Sequence, residues 1–270
     1  MSFCLHFKRG GKYINTAEEI MIKPKQDHIK IAAFINEHLN QRVIVNCLEL
    51  NDTREIFQIA SQIKEANPNL NNYAILLPWF EKENMLKLCE AGIPFFTDYH
   101  CNSWEALHGL IKEGVSDIYI TDGLGFELDK VSKICKKANV NVRVFCNVCQ
   151  SVWKANTEPL LNFFIRPEDV DLYAHYVDVF ELFGDLKTAQ IDVLYETYAI
   201  QKKWFGPLRE IILGFNSNLD SRYVSPNFAT CRLRCNRSCM KGGECGICYH
   251  IEAMAEIFKE KGLLLTPIHK

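Results

Sequence analysis

Apolar and polar positions along this chain follow two alternating patterns. Short runs rich in β-branched and aromatic residues read as strands buried on both faces: "EIMIKP" (19–24), "RVIVNC" (42–47), "YAILLP" (73–78), "IPFFTD" (93–98), "SDIYIT" (116–121), "NVRVFC" (141–146), "NFFIRP" (162–167) and "VDVFEL" (177–182). Between them, "DHIKIAAFINEHLNQ", "TREIFQIASQIKEAN", "WEALHGLIKEGV" and "ELDKVSKICKKAN" place apolar residues at i, i+3 and i+4, the stripe of an amphipathic helix. Lys136, Lys137 and Asn139 give the last of these a credible stop.

Strand followed by helix, repeated, calls for parallel pairing through right-handed crossovers. Eight such units in about 200 residues predict an α/β fold, a single (β/α)8 TIM-type barrel. It is expected over 1–210, with a cysteine-rich segment, 211–270, folding over its C-terminal face. An open doubly wound sheet is the alternative, but no G-x-G-x-x-G follows an early strand. "DGLGFE" (122–127) supplies only Gly123 and Gly125 and reads as a βα turn.

A barrel gathers the C-terminal ends of its strands on one face, where catalytic groups sit. Those ends carry Cys47 and Glu49, Trp79 and Phe80, Asp98, His100 and Cys101, then Asp122, Cys146 and Asn147. Arg166, Glu168 and Asp169 follow, and Glu181 and Gly184 come last. Arg166, Glu181 and Asp98 are the catalytic candidates on this polar rim. Asp122 and Asp169 read as caps of the helices that follow. Arg166, at the end of "NFFI" and before Pro167, either pairs with a rim carboxylate or receives an anionic ligand.

Composition narrows the classes. With 48% hydrophobic and 24% charged residues the chain is ordinary globular material, and a net charge of −2 argues against a general nucleic-acid binder while leaving room for a basic patch. No run approaches the ~20 apolar residues of a membrane span. The N-terminus meets charge at Lys8 and is not read as a signal peptide. A cytoplasmic location is expected, where the 12 cysteines stay reduced and six disulfides are not.

The cysteines then sort into two groups. Cys4, Cys89 and Cys135 lie in apolar runs and read as small buried residues. Cys47 and Cys101 stand alone on the functional face and are weak candidates. "CNVC" (Cys146, Cys149) leaves the sixth strand with a spacing that lets two thiolates reach one metal. "CRLRCNRSCMKGGECGIC" adds Cys231, Cys235, Cys239, Cys245 and Cys248, with Gly242, Gly243 and Gly246 allowing close backbone folding. Cys231, Cys235 and Cys239 spaced by four would string along about 12 Å of a helix, so no more than two of them share a metal with Cys245 and Cys248. The irregular spacing is no zinc-finger pattern and suits an iron–sulfur cluster, with zinc as the alternative. Arg232, Arg234, Arg237 and Lys241 would offset the charge of a four-thiolate site.

The stretch "NFFIRPEDVDLYAHYVDVFELFGD" (162–185) resembles the "IRPED…Y…D…K.AGR" stretch of barrel proteins in the collagenase-like peptidase superfamily. "FCNVC" and "GGECGICYHIEAMAE" resemble the cysteine turn and C-terminal motif of one branch, so the likeness covers about 140–260 in order. The resemblance implies a [4Fe–4S] cluster at the barrel mouth, with Cys149, Cys235, Cys245 and Cys248 as ligands and Cys146, Cys239 and Cys231 in reserve. It also implies an oxygen-independent, hydroxylase-type reaction on an aromatic, carboxylate or RNA-linked substrate, with prephenate as oxygen donor in characterised members. One difference stands out: Asp185 occupies the place of the arginine of "AGR", which removes a cation from the mouth.

Two other functions are weighed. A peptidase would need an activated thiol and an imidazole, for which His100–Cys101 is only an adjacent pair, and neither H-E-x-x-H nor G-x-S-x-G occurs. A non-catalytic, metal-stabilised barrel could serve as a binding subunit, with a protein partner or a second copy of the chain. "YAIQKKWFGPLRE" (198–210) is a candidate partner surface, its alternative being the last barrel helix.

Overall fold

A computed structural model of the chain describes residues 3–5, 19–24, 28–50, 52–66, 68–69, 71–78, 82–148, 164–182, 188–213, 215 and 219–235. In chain order the first elements are β1 (Phe3–Leu5), β2 (Glu19–Ile22), α1 (His28–Glu37), β3 (Arg42–Asn46), α2 (Thr53–Ala66), β4 (Tyr73–Leu77) and α3 (Lys82–Glu90). Next come β5 (Phe95–Thr97), β6 (His100–Cys101), α4 (Trp104–Lys112), β7 (Asp117–Ile120), α5 (Asp122–Gly125), α6 (Leu128–Ala138) and β8 (Asn141–Phe145). The last are α7 (Val170–Tyr173), β9 (Val179–Leu182), α8 (Thr188–Ala199) and α9 (Phe228–Leu233).

Local chemistry accounts for the boundaries. α2 buries Ile56, Ile59, Ala60 and Ile63 as one stripe, and the Asp52 carboxylate accepts from Arg54 N–H at 2.9 Å at its start. Ser103 caps α4 by accepting from Ala106 N–H at 3.3 Å. α6 stops where Asn139 turns left-handed, at φ 58°. β4 is buried at all five positions and β3 at its central three, which is why both read as unbroken apolar runs.

The fold is mixed α/β with parallel sheets. One sheet runs β2-β3-β4-β5, each neighbour parallel, with Ile20 opposite Val43, Ile44 opposite Ala74 and Ile75 opposite Phe95. The other runs β1-β9-β8-β7-β6, with β7 parallel to β8 and β1 antiparallel on β9. Among the described residues these strands do not close into a ring, which departs from the expected barrel. The expected seventh strand, 162–167, is not a strand at 164–166. Ile165 N–H does donate to Cys146 O at 2.9 Å, but Pro167 offers no N–H and opens a 3-10 turn over Pro167–Asp169. β1 instead lines up beside β9, an edge pairing that the sequence pattern did not suggest. Among the described residues no helix is long and apolar enough to cross a membrane.

The chain divides into two compact units. The first holds Ile14–Tyr119 and Lys133–Arg143. Within it, Ser116 N–H donates to Phe95 O at 2.7 Å and carries the ladder from β5 to the start of β7. The strands β2, β3, β4, β5, β7 and β8 therefore follow one another in space as they do in sequence, with no reversal. The wall also curls. Arg42 on β3 pairs with Asp117 on β7 at 2.6 Å, although two strands lie between them. On a flat sheet their backbones would stand about 14 Å apart, at the limit of both side chains laid flat. Arg143 on β8 reaches the same carboxylate at 2.9 Å and stacks on Phe96 of β5, so side chains of four strands converge inside the curve.

The second unit holds Met1–Tyr13, Ile120–Ser132 and Val144–Lys270. Here Cys146 N–H donates to Glu181 O at 2.9 Å, joining the end of β8 to β9. Asn147 O accepts from Leu213 N–H at 2.7 Å, and Val148 forms a parallel bridge with Leu213. The segment that begins near residue 211 is thus tied to the chain leaving β8. Phe164, Tyr173, Tyr198, Phe215 and Phe228 make the aromatic core of this unit.

Candidate functional site

Arg166 resolves the choice left open by its sequence position. It is 2% exposed, and its guanidinium grips Asp169 bidentately, Nε to Oδ2 at 2.6 Å and Nη2 to Oδ1 at 3.0 Å. A third contact goes to Glu168 Oε1 at 3.3 Å. Asp169 is therefore the partner of Arg166, and its side chain makes no capping hydrogen bond at α7, contrary to the expected cap. The geometry follows from the turn: Pro167 opens the 3-10 turn and brings positions three apart onto one side.

One guanidinium serving two carboxylates is a poor balance in a buried place. Burial raises the Asp169 carboxyl above its ordinary value, against the pull of Arg166 and Arg232. Burial likewise raises Glu168, with Arg166 pulling down and Asp169 pushing up. Glu168 Oε2 accepts from Trp204 N–H at 3.5 Å, and the Tyr198 hydroxyl donates to Ile165 O at 2.7 Å. Burial holds that phenol well above its usual range. Two carboxyls raised by burial thus stand beside one fixed guanidinium.

The other catalytic candidates divide between the units. Glu181 lies on β9 in the second unit, buried to 2% exposure. Asp98 follows β5 in the first unit and is exposed, its N–H donating to Leu77 O at 3.2 Å. Burial, then the Glu181 charge, push the Cys146 thiol well above its ordinary value, so this reserve ligand stands as a protonated thiol.

Of the four expected cluster ligands, Cys235 lies among the described residues; Cys149, Cys245, Cys248 and the reserve Cys239 lie outside them. Cys231 and Cys235 are partly exposed thiols in no disulfide, one on α9 and one just past its end. An all-thiol donor set suits a cluster or zinc. Among the described residues no group of three or more His, Cys, Asp or Glu side chains is placed to hold a metal ion.

The isolated thiols are unprepared for nucleophilic work. Burial raises Cys47 to about 12 and Cys101 to about 11, the latter with Sγ 3.5 Å from Ser103 O. His100 stacks on Tyr119 at 5.6 Å, and burial lowers its pKa. Cys135 is buried as expected, but Cys89 is exposed. α3 turns Met85 and Leu88 inward, and Cys89, one residue on, faces away from them. In the proposed partner stretch, α8 ends at Ala199, Phe205 is 51% exposed under Lys203, and Trp204 is half-buried, its Nε1 donating to Pro207 O at 3.3 Å.

Two arrangements escaped the sequence reading. The first is Asp117 with Arg42, Arg143, Ser116 and Asn141, whose signal was charge inside the apolar runs "SDIYIT" and "NVRVFC". Arg42 and Arg143, with a hydrogen bond from Ser116, hold the Asp117 carboxyl well below the usual range despite its burial. The second is Arg232, read as a counter-charge for thiolates. Its guanidinium lies over the rings of Phe126, Phe164 and Phe228 at 4.8, 5.0 and 4.8 Å. The spacing of Phe228 and Arg232 by four on one helix was the available clue.

Compared with protein-family models, with curated proteins and with solved structures, the chain matches none.

Proposed function

We propose that this chain is an iron–sulfur enzyme of the collagenase-like peptidase type. In this reading its strands belong to a (β/α)8 barrel, and a [4Fe–4S] cluster is held by Cys149, Cys235, Cys245 and Cys248. The reaction is an oxygen-independent, hydroxylase-type modification of an aromatic or RNA-linked substrate. One observation carries the reading: Leu213 is tied to Asn147 and Val148, the middle of the "CNVC" turn. That contact starts the cysteine-bearing C-terminal segment at the turn that supplies the first ligand. The unreversed strand order of the first unit and its curl support the barrel, since a doubly wound sheet reverses its order at a switch point.

The cluster would supply one-electron chemistry. The chain's own contribution would be the Arg166–Asp169–Glu168 group, in which burial raises two carboxyls beside a fixed guanidinium just past the end of β8. The peptidase reading loses ground because the Cys101 thiol is raised rather than activated. A second reading, a metal-stabilised barrel that binds without catalysing, is favoured by the engagement of Arg166 with its own carboxylates. That engagement occupies the guanidinium with the chain's own carboxylates.

Anaerobic purification followed by visible and EPR spectra and iron and sulfide analysis tests the proposal. A brown protein with about four irons per chain is expected. A colourless protein holding stoichiometric zinc would overturn it.

A further inference from the structure

Arg232 sits between Cys231 and Cys235 in sequence, and its place in the second unit is unlike that of an ordinary surface arginine. It is 2% exposed and enclosed by three phenylalanine rings from three different parts of the chain. Phe228 precedes it by one turn on α9, Phe164 stands two residues before Arg166, and Phe126 follows α5. Phe164 and Phe228 also pack on each other at 5.6 Å between ring centres. The face of each ring is electron-rich, so a guanidinium taken out of water is held by all three at once. The same Phe228 ring receives Arg166 at 5.7 Å. Asp169, held by Arg166, also lies within electrostatic reach of Arg232.

The backbone on either side follows this anchor. Cys231 N–H donates to Asn227 O at 2.9 Å, and Cys235 N–H donates to Arg232 O at 3.1 Å. The carbonyl of the anchored residue thus accepts from Cys235, and both thiols remain partly exposed while the residue beside Cys231 is sealed. An apolar side chain could fill the socket but would bring no charge. Four thiolates around a cluster carry net negative charge, and a desolvated cation one residue from Cys231 and three from Cys235 offsets it.

We propose that Arg232 is a positioning residue: seated in the Phe126–Phe164–Phe228 socket, it docks the Cys231–Cys235 turn and tunes the charge of the cluster site. The docking stands on the socket itself, and the tuning rests on the iron–sulfur reading above. Replacement by methionine keeps the bulk and removes the charge and the planar stack. Replacement by lysine keeps the charge and loses the stack.

The test uses the full chain in two arms. In the first, metal-free protein is alkylated with iodoacetamide, and each cysteine is followed by mass spectrometry. Relative to the exposed Cys89, Arg232→Met should speed alkylation of Cys231 and Cys235 by about tenfold, as expected when a docked segment opens more often. Arg232→Lys should behave alike, and Phe126→Leu should give a smaller rise. Unchanged rates in all three variants would overturn the docking. Reaction at the buried Cys135 reports global unfolding of a variant, and Phe126→Leu then decides the matter.

In the second arm, protein is reconstituted anaerobically with iron and sulfide. Arg232→Met should lower the cluster's midpoint potential, since loss of a cation disfavours the reduced state, and Arg232→Lys should restore it. A potential that ignores the charge at 232 would overturn the tuning. Wild-type protein that takes up no iron overturns the iron–sulfur reading and the tuning with it, while the alkylation arm still decides the docking.

Discussion

Two buried arginine–aspartate clusters, one in each unit, reach opposite electrostatic outcomes. In the first unit a single carboxylate, Asp117, takes two guanidiniums and a hydroxyl, and its pKa falls despite full burial. In the second unit a single guanidinium, Arg166, is divided between Asp169 and Glu168, and both carboxyls rise. Burial raises the carboxyls in both places; at Asp117 two guanidiniums in direct contact outweigh it, while at Asp169 and Glu168 the direct contact with Arg166 alone does not. The two also differ in position. Arg42, Asp117 and Asn141 lie at the starts of β3, β7 and β8. Arg166 to Asp169 follow Ile165, whose N–H donates to Cys146 O just past the end of β8. The first cluster is a permanent ion pair. In the second, burial raises both carboxyls.

Removing Asp117 should have the largest effect. Asp117→Asn leaves Arg42 and Arg143 facing each other without their carboxylate, at a cost of about 3–5 kcal/mol in denaturant unfolding. The native carboxyl is depressed, so its stability is present above the unfolded carboxylate range of about 4 and fades only as pH falls below it. The cost should therefore stay level between about pH 5 and pH 8. A cost that melts away by pH 5 would erase the contrast between the clusters.

Arg166→Met should cost less, about 1–3 kcal/mol at neutral pH, because Asp169 and Glu168 can take up protons once their cation is gone. Both carboxyls are already raised in the folded chain, so their contribution is greatest at acid pH and declines as pH rises through the folded values. The penalty should shrink on moving from pH 7.5 toward about pH 5. An acid-independent penalty would show that the second cluster is as permanent as the first. Tyr198→Phe, which leaves the buried Ile165 carbonyl without its donor, should cost about 1–2 kcal/mol. The smallest disturbance is chemical probing. At neutral pH iodoacetamide should label the exposed Cys89 about a hundredfold faster than Cys101, whose thiol is raised to about 11.

The strands at 42–46, 73–77 and 141–145 were legible because strands buried on both faces are dominated by apolar, β-branched residues, even with Arg143 in the last. The helices were legible from their stripes and from local stops such as Asn139. The 164–166 stretch misled because Phe164 and Ile165 are as apolar as a strand yet are buried through the turn that aims Arg166 at Asp169. The antiparallel edge strand β1 carries no mark in a three-residue segment. Of the site, Arg166 was found because it stands directly before Pro167, which opens a turn, and its nearest partner lay only three residues on. Asp117 escaped because its partners Arg42 and Arg143 stand 75 and 26 residues away in sequence. Cys89 was misplaced because one residue along a helix is about 100° around it, enough to move a thiol from core to solvent.

That 75-residue separation between Arg42 and Asp117 also sets an order of events at synthesis. A chain growing at 5–20 residues per second presents Arg42 roughly 4–15 s before its carboxylate exists. Until then the first strands carry Arg42 without the carboxylate it meets in the finished unit. The ion pair that links β3 to β7 therefore forms only after four strands of this unit, β2 to β5, have been made, and a nascent chain halted before residue 117 lacks it.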